Sequence, residues 1–377
     1  MRILELGKFY PPERGGMETL LQIWAEGFRD QGAQVTCVVA NRSAQTVVER
    51  QPGLEVHRLA SHGQCFSASL CPSYPGASRR FPADIIHAHF PNPLADIAVI
   101  RAPRKVPVVV HWHSDIVRQR ALLKLYKPIQ DAMLRRADRV VVATPQHLEY
   151  SDWLGPYAHK VVVIPFGLDL SRFQPTASLL ARAAELRADS RNSTVFLNIG
   201  RLVGYKGQRF AIEALPSVPG AILWLVGTGP LEQELRSLAA GLGVGERVRF
   251  WGDVANADLP ALLHACDVFL FPSITPNEAF GLVLVEAMAC GKPLVACHLR
   301  SGVPYVCRSG DNGVLVSPMD PVELGRAMAE LGASPELRSR LGLRGSERAK
   351  AEFSKQAMIQ RHWKLFEELR GRKSSGE

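Results

Sequence analysis

The sequence predicts a parallel α/β fold made of two Rossmann-like halves. Short β-branched runs alternate with helical patterns along the chain, and they do so in two series. Between the series lies residues 174–193, rich in Ala, Arg and Ser and without a strand-like run. The first series opens with a strand at 2–6 and an amphipathic helix at 17–31, with Leu20, Leu21, Trp24 and Phe28 on one face. Strands follow at 34–40, 85–88, 108–112, 139–143 and 161–165. The second series has strands at 194–199, 222–226, 248–251, 268–271, 294–296 and 313–316. The expected organisation is a first domain over 1–173, a linker over 174–193, a second domain over 194–352, and a closing helix with a polar tail over 353–377. In such sheets ligands bind beyond the carboxyl ends of the strands, so the loops after each strand are where chemistry is expected.

Composition narrows the class. With 46% hydrophobic and 21% charged residues among 377, the chain is neither disordered, collagen-like nor a coiled coil. No apolar run approaches the roughly 18–20 residues of a membrane-spanning helix, and the start MRILELGKFYPP does not read as a signal peptide. Seven cysteines without a C-x-x-C pair fit a reduced, cytoplasmic compartment. The net charge of +9 points to an anionic partner. Ten Lys or Arg fall between Arg101 and Arg139, opposed only by Asp115, Asp131 and Asp138. No zinc finger or RNP-like strand accompanies them, so a membrane surface or phosphorylated substrate is expected in place of nucleic acid.

Four loops carry candidate residues. Pro272 to Gly281 contains Glu278 and leads into a helix near Gly281, whose first amides would face an anion. Glu286 is the one polar residue between Leu282 and Ala289. A buried carboxylate there needs partners: ligand hydroxyls, solvent or a nearby Arg. Asn198 to Gly207 offers Arg201, Lys206 and three glycines; it is not a Walker A loop, because Gly follows Lys206. Its cations either neutralise a diphosphate or are solvated. Gly15 and Gly16 would let a backbone amide lie against phosphate, or simply make a tight turn.

His87-Ala88-His89 and His111-Trp112-His113 are H-x-H pairs at strand ends, with i and i+2 on one face. Four such imidazoles suit zinc, which makes a metal-dependent hydrolase the rival reading, although no carboxylate has an obvious place beside them. His113, ahead of Ser114 and Asp115, is either a cleft-facing imidazole or a structural one. Leu122, Leu123, Leu125, Tyr126 and Ile129 recur among Lys124, Lys127, Arg135 and Arg136: a basic amphipathic helix for an anionic bilayer, or a surface helix packed on the sheet. Pro128 is expected to kink or end it.

Together these segments resemble the retaining, GT-B-fold glycosyltransferases of family 4. The resemblance spans nearly the whole chain: Pro11-Pro12-x-x-Gly15-Gly16-x-Glu18, Asp84 to His89, Pro165 to Asp169 with Phe173, Gly200-Arg201-Leu202 with Lys206-Gly207, Gly227-x-Gly229-Pro230, and Glu278 with Glu286 in the family's E-x7-E spacing. It implies two Rossmann-like domains facing across a cleft. It implies that Arg201 and Lys206 hold the donor diphosphate, Glu286 the ribose hydroxyls and Glu278 the donor sugar, with the backbone of Ala279, Phe280, Gly281 and Leu282 touching sugar and phosphate. His113 takes the place of the histidine that contacts the donor sugar, Gly16, beside Gly15, lies by the diphosphate, and residues 251–254, ending in Val254, resemble the loop lining the base pocket.

The implied reaction is hexosyl transfer with retention, without a metal or cofactor. The HWHSD segment resembles mannosyl- and rhamnosyltransferases of bacterial surface polysaccharides, which favours a GDP-sugar over a UDP-sugar donor. A lipid-diphosphate-linked glycan acceptor is implied, with a peripheral site on the inner face of the cytoplasmic membrane. The alternatives are a UDP-sugar-dependent glycosyltransferase of another pathway, the metal-dependent hydrolase, and a sugar-nucleotide-binding protein without turnover. One departure stands in the sequence: family members often read Gly-Gly-x-Pro-Glu where this chain has Ser301-Gly302-Val303-Pro304-Tyr305.

Overall fold

The computed structural model describes residues 1–13, 15–65, 68–116, 120–190, 192–276 and 278–374, without the side chains of 65, 68, 120–125 and 373–374. Arg14, Arg118, Asn277, the end of the polar tail and the side chains of Leu122, Leu123, Lys124 and Leu125 lie outside the described residues. The chain divides into two compact units: Met1–Gly167 with Lys355–Glu377, and Leu168–Ser354.

The first unit is built on strands β1 (Arg2–Leu6), β2 (Gln34–Ala40), β3 (Val47–Gln51), β4 (Leu54–Leu59), β5 (Ile85–Phe90), β6 (Val108–Trp112), β7 (Arg139–Val142) and β8 (Val161–Val163). Their order in the sheet is β8-β7-β6-β5-β1-β2-β4-β3. Neighbours are parallel except the β3–β4 pair. Every residue of β5 and β6 is buried. Covered on both faces, such central strands carry no polar alternation. The β3–β4 hairpin was not expected from sequence. β3 is a largely exposed edge strand, and the turn before β4 places Gly53 at φ 76°.

Helix α1 (Gly16–Asp30) buries Leu20, Leu21, Trp24 and Phe28, the face expected from its spacing. Helix α2 (Arg120–Arg136) runs through Pro128, where a kink or end was expected. It buries Gln130, Met133 and Leu134, and Tyr126 donates its hydroxyl to the buried Asp96 carboxylate. Its C-terminal half is thus a packing helix. The C-terminal helix Lys355–Ser374 belongs to this unit, burying Met358, Ile359, His362, Phe366 and Leu369.

The second unit has strands β9 (Thr194–Ile199), β10 (Ala221–Val226), β11 (Val248–Gly252), β12 (Val268–Phe271), β13 (Leu294–Cys297) and β14 (Gly313–Val316), all parallel in the order β11-β10-β9-β12-β13-β14. The segment 174–193, expected as a linker, lies inside this unit and carries helix α3 (Ala177–Arg187). Its Ala, Leu and Arg content is helix-forming. Thr176 caps the helix by accepting from the Leu179 amide, and Arg187 anchors it through Asp267 at 2.7 Å and the Ala265 carbonyl at 2.6 Å.

Candidate active site

The loop after β9 is held from below. Leu202 is fully buried, and its amide donates to the Thr228 carbonyl at 3.0 Å. Gln208 donates to the Arg201 carbonyl at 3.0 Å. These bonds fix the Arg201 backbone, while its guanidinium is exposed and has no hydrogen-bond or ion-pair partner among the described residues. Lys206 closes a short 3-10 turn, Gly204–Lys206, and Gly207 follows at φ 69°. A Cβ at Gly207 would stand 2.0 Å from the Pro272 carbonyl oxygen, so both the conformation and the space require glycine.

That contact joins the loop to the one after β12. The Ile274 amide donates to the Tyr205 carbonyl at 2.9 Å, and the Lys206 ammonium is ion-paired with the Glu278 carboxylate, both side chains largely buried. The sequence places these two residues separately; the structure brings them together. The loop is pinned at its far end by Phe280, 3% exposed and edge-on to Phe353 at 5.8 Å. The Ala279 carbonyl accepts from the Gly302 amide at 2.8 Å. Gly281, at φ 78°, precedes helix α4 (Leu282–Ala289).

Glu286 lies on the one stripe of α4 that is not sealed. Leu282, Val283 and Glu286 are partly exposed, and the remaining residues are buried. No hydrogen bond to its carboxylate exists among the described residues. Burial pushes its pKa up to about 6, with the Arg172 charge acting in the opposite direction. Val254 follows β11 and is half-buried. Gly15 and Gly16, in the first unit, are exposed at the start of α1, and Gly15 has extended backbone. A surface pocket lined by Arg172, Thr176, Arg182 and Asn256 includes none of these residues. At the departure from the family pattern, the Tyr305 ring packs against Phe353 at 6.2 Å, and its carbonyl accepts from Arg348 at 2.7 Å.

The histidines form a buried cluster in the first unit, and a carboxylate does stand beside them: Glu5 of β1, which sequence reasoning missed. The parallel register sets Glu5 against His87, and His89 against His111. Glu5 accepts from His87 Nδ1 at 3.0 Å and His89 Nε2 at 2.7 Å. Burial alone would raise its pKa, but the charge and hydrogen bonds of the two imidazoles bring it down to about 2. His113 is 6% exposed, and its Nε2 is 3.2 Å from His89 Nδ1, so it is a bonded side chain at the end of β6. Burial lowers the pKa of His89, His111 and His113, and takes His362 down to about 3. Every ring of the cluster is buried. Asp115 holds the segment after β6, accepting from Trp112 Nε1 and Ser151 Oγ, each at 2.8 Å.

Comparison with known proteins agrees with this architecture. A model described as glycosyl transferase 4-like domain matches residues 15–167, and one described as glycosyl transferases group 1 matches 184–348. The chain is 32% identical to D-rhamnosyltransferase WbpZ of Pseudomonas aeruginosa, over 94% of this chain and 92% of that protein. It is 31% identical to O-antigen chain mannosyltransferase C of Escherichia coli, over 99% and 100%. Anabaena HepE, solved with UDP, superposes with a TM-score of 0.78 at 24% identity, over 98% of this chain and all of that one. The chain therefore belongs to the group 1 and 4-like glycosyltransferases, enzymes of GT-B fold.

Proposed function

We propose that this glycosyltransferase moves a hexose, mannose or rhamnose, from a GDP-sugar to a lipid-diphosphate-linked glycan of a bacterial surface polysaccharide, with retention and without a metal. The names of the two full-length relatives support the sugar class and O-antigen synthesis. The observation that carries the reading is the arrangement after β9 and β12: an exposed, backbone-fixed Arg201 beside the Lys206–Glu278 ion pair. In one unit it supplies fixed positive charge for a leaving diphosphate, and Glu286 supplies a carboxylate still lacking a hydrogen-bond donor.

In the reaction, the bond from the anomeric carbon to the diphosphate oxygen breaks and a bond to the acceptor oxygen forms. The leaving phosphate takes the acceptor proton. Arg201 and Lys206 stabilise the charge that develops on that phosphate, helped by the amides opening α4. Glu286 accepts from the ribose hydroxyls, Glu278 and His113 orient the donor sugar, and the backbone at Gly15, Gly16 and Ala279–Leu282 lines the diphosphate and sugar. Val254 lines the base. The exposed part of the basic 101–139 region would hold the enzyme at the inner face of an anionic membrane. Among the described residues no helix is long and apolar enough to cross one.

The test is thermal unfolding with GDP, UDP or ADP in EDTA-containing buffer. A nucleotide at about a hundred times its dissociation constant stabilises the fold by roughly 2.7 kcal/mol. A shift with GDP alone is expected. A shift with UDP alone replaces the donor by a UDP-sugar, and no shift with any nucleotide overturns the metal-free donor site.

A further inference from the structure

We infer that the first unit binds one divalent transition-metal ion of the zinc class in a buried structural site formed by His87, His111 and His362. One ring nitrogen from each lies within 4.8 Å of the other two, and all three residues are fully buried.

The tautomers follow from the bonds on the opposite side of two rings. His87 Nδ1 lies 3.0 Å from the Glu5 carboxylate, which only accepts, so Nδ1 carries the proton. His362 Nδ1 lies 2.9 Å from the Met358 carbonyl oxygen, with the same result. In the neutral form of each ring Nε2 is then a lone pair, and neither Nε2 has a hydrogen-bond partner among the described residues. Both nitrogens of His111 are also without one, and a neutral imidazole has one bare lone pair. The three rings meet in a buried space lined by Trp24 and Phe28. Buried polar nitrogens are ordinarily satisfied, and a Lewis acid satisfies all three at once.

The spacing suits an ion. Three points within 4.8 Å of one another share a point no more than about 2.8 Å from each, against a Zn–N bond of about 2.0–2.1 Å, so ring movements under about 1 Å would complete the bonds. Glu5 and the Met358 carbonyl are the outer contacts that metal-bound imidazoles ordinarily make, fixing tautomer and basicity. Bound by the three rings, the ion ties β5 and β6 to the C-terminal helix. His113, assigned above to the donor sugar, is the neighbour of His111 at 4.7 Å between ring centroids, and the inference does not depend on that assignment.

The test is metal analysis of the full chain, prepared without a polyhistidine tag from zinc-supplemented medium and passed over chelating resin. About one zinc per chain is expected, falling to about a tenth or less in His362→Gln and His111→Gln and unchanged in the exposed-histidine controls His62→Gln and His298→Gln. Wild-type protein that holds less than about a tenth of an equivalent, both as prepared and after refolding with zinc, overturns the site and leaves the lone pairs to buried water. So does full zinc content in His362→Gln. Should those variants fail to fold, the wild type refolded with Co²⁺ decides. Tetrahedral d–d absorption supports the site, and its absence overturns it.

Discussion

The Lys206 ammonium sits on the Glu278 carboxylate, joining the loop after β9 to the loop after β12. Before any donor arrives, the cation assigned to the diphosphate is held in place by the carboxylate assigned to the sugar. The pair pre-orients both groups and keeps Lys206 from folding out into solvent.

The two residues should therefore behave as a unit. Lys206→Ala and Glu278→Ala are each expected to lower kcat/KM by about 100-fold or more. The double variant should lose less than the sum of the two, with a coupling of about 0.5–3 kcal/mol. A complete double-mutant cycle with strictly additive losses would refute the unit.

Glu286 predicts a pH-dependent stability. Its folded pKa of about 6 lies above the ordinary 4.5. The folded state therefore binds more protons between these values, so its stabilising contribution is complete below about pH 4.5 and lost as pH rises through 6. Ligand-free Glu286→Gln should be more stable than wild type at pH 7.5, by up to about 2 kcal/mol, with little difference at pH 4.5, while losing transfer activity. Urea unfolding at the two pH values measures this, and an equal or lower stability of the variant at pH 7.5 would count against the burial argument.

Gly207→Ala meets both a left-handed backbone and the Pro272 carbonyl. It is expected to destabilise by more than about 1 kcal/mol and to raise the donor KM by displacing the 272–278 loop. Unfolding and steady-state kinetics on the same preparation check both effects. Gly204→Ala, with open space around its Cβ, is the control.

The basic region divides by burial. Arg136 donates to the Pro103 and Val106 carbonyls at 2.7 and 2.8 Å, so Arg136→Ala should lower the melting point. Arg101, Lys105 and Arg135 are exposed. Replacing these three by Gln should leave the melting point unchanged and weaken sedimentation with phosphatidylserine vesicles, by about 1 kcal/mol for each charge. Unaltered vesicle binding would remove this region from membrane contact.

Much of the fold was legible because the central strands are covered on both faces. Strands 34–40, 108–112, 194–199, 268–271 and 313–316 fall where short, largely apolar and β-branched runs placed them. The β3–β4 hairpin escaped, although Pro52-Gly53 between two short apolar alternations was its signal. Arg201, Lys206, Glu278 and Glu286 stood out in the sequence, but the Lys206–Glu278 contact did not, since no periodicity connects two loops in different crossovers. Glu5 was read as an ordinary strand residue. Its chemistry arises only from the parallel register that sets it against His87, and His362 reaches the same cluster from the far end of the chain. Segment 174–193 misled because a mostly exposed helix rich in Ala and Arg, with Ala183 its buried residue, lacks the strand signals that mark domain cores.

The C-terminal helix has a consequence for biosynthesis. Gly27 of α1 faces Ile359 so closely that an added Cβ would lie 2.5 Å from it, and Phe28 packs on Phe366 at 5.2 Å. The core of the first unit is thus finished by residues that follow the whole second unit in the chain. On the ribosome, α1 must wait with part of Trp24 and Phe28 uncovered until the whole second unit has emerged, and only then can the first become native.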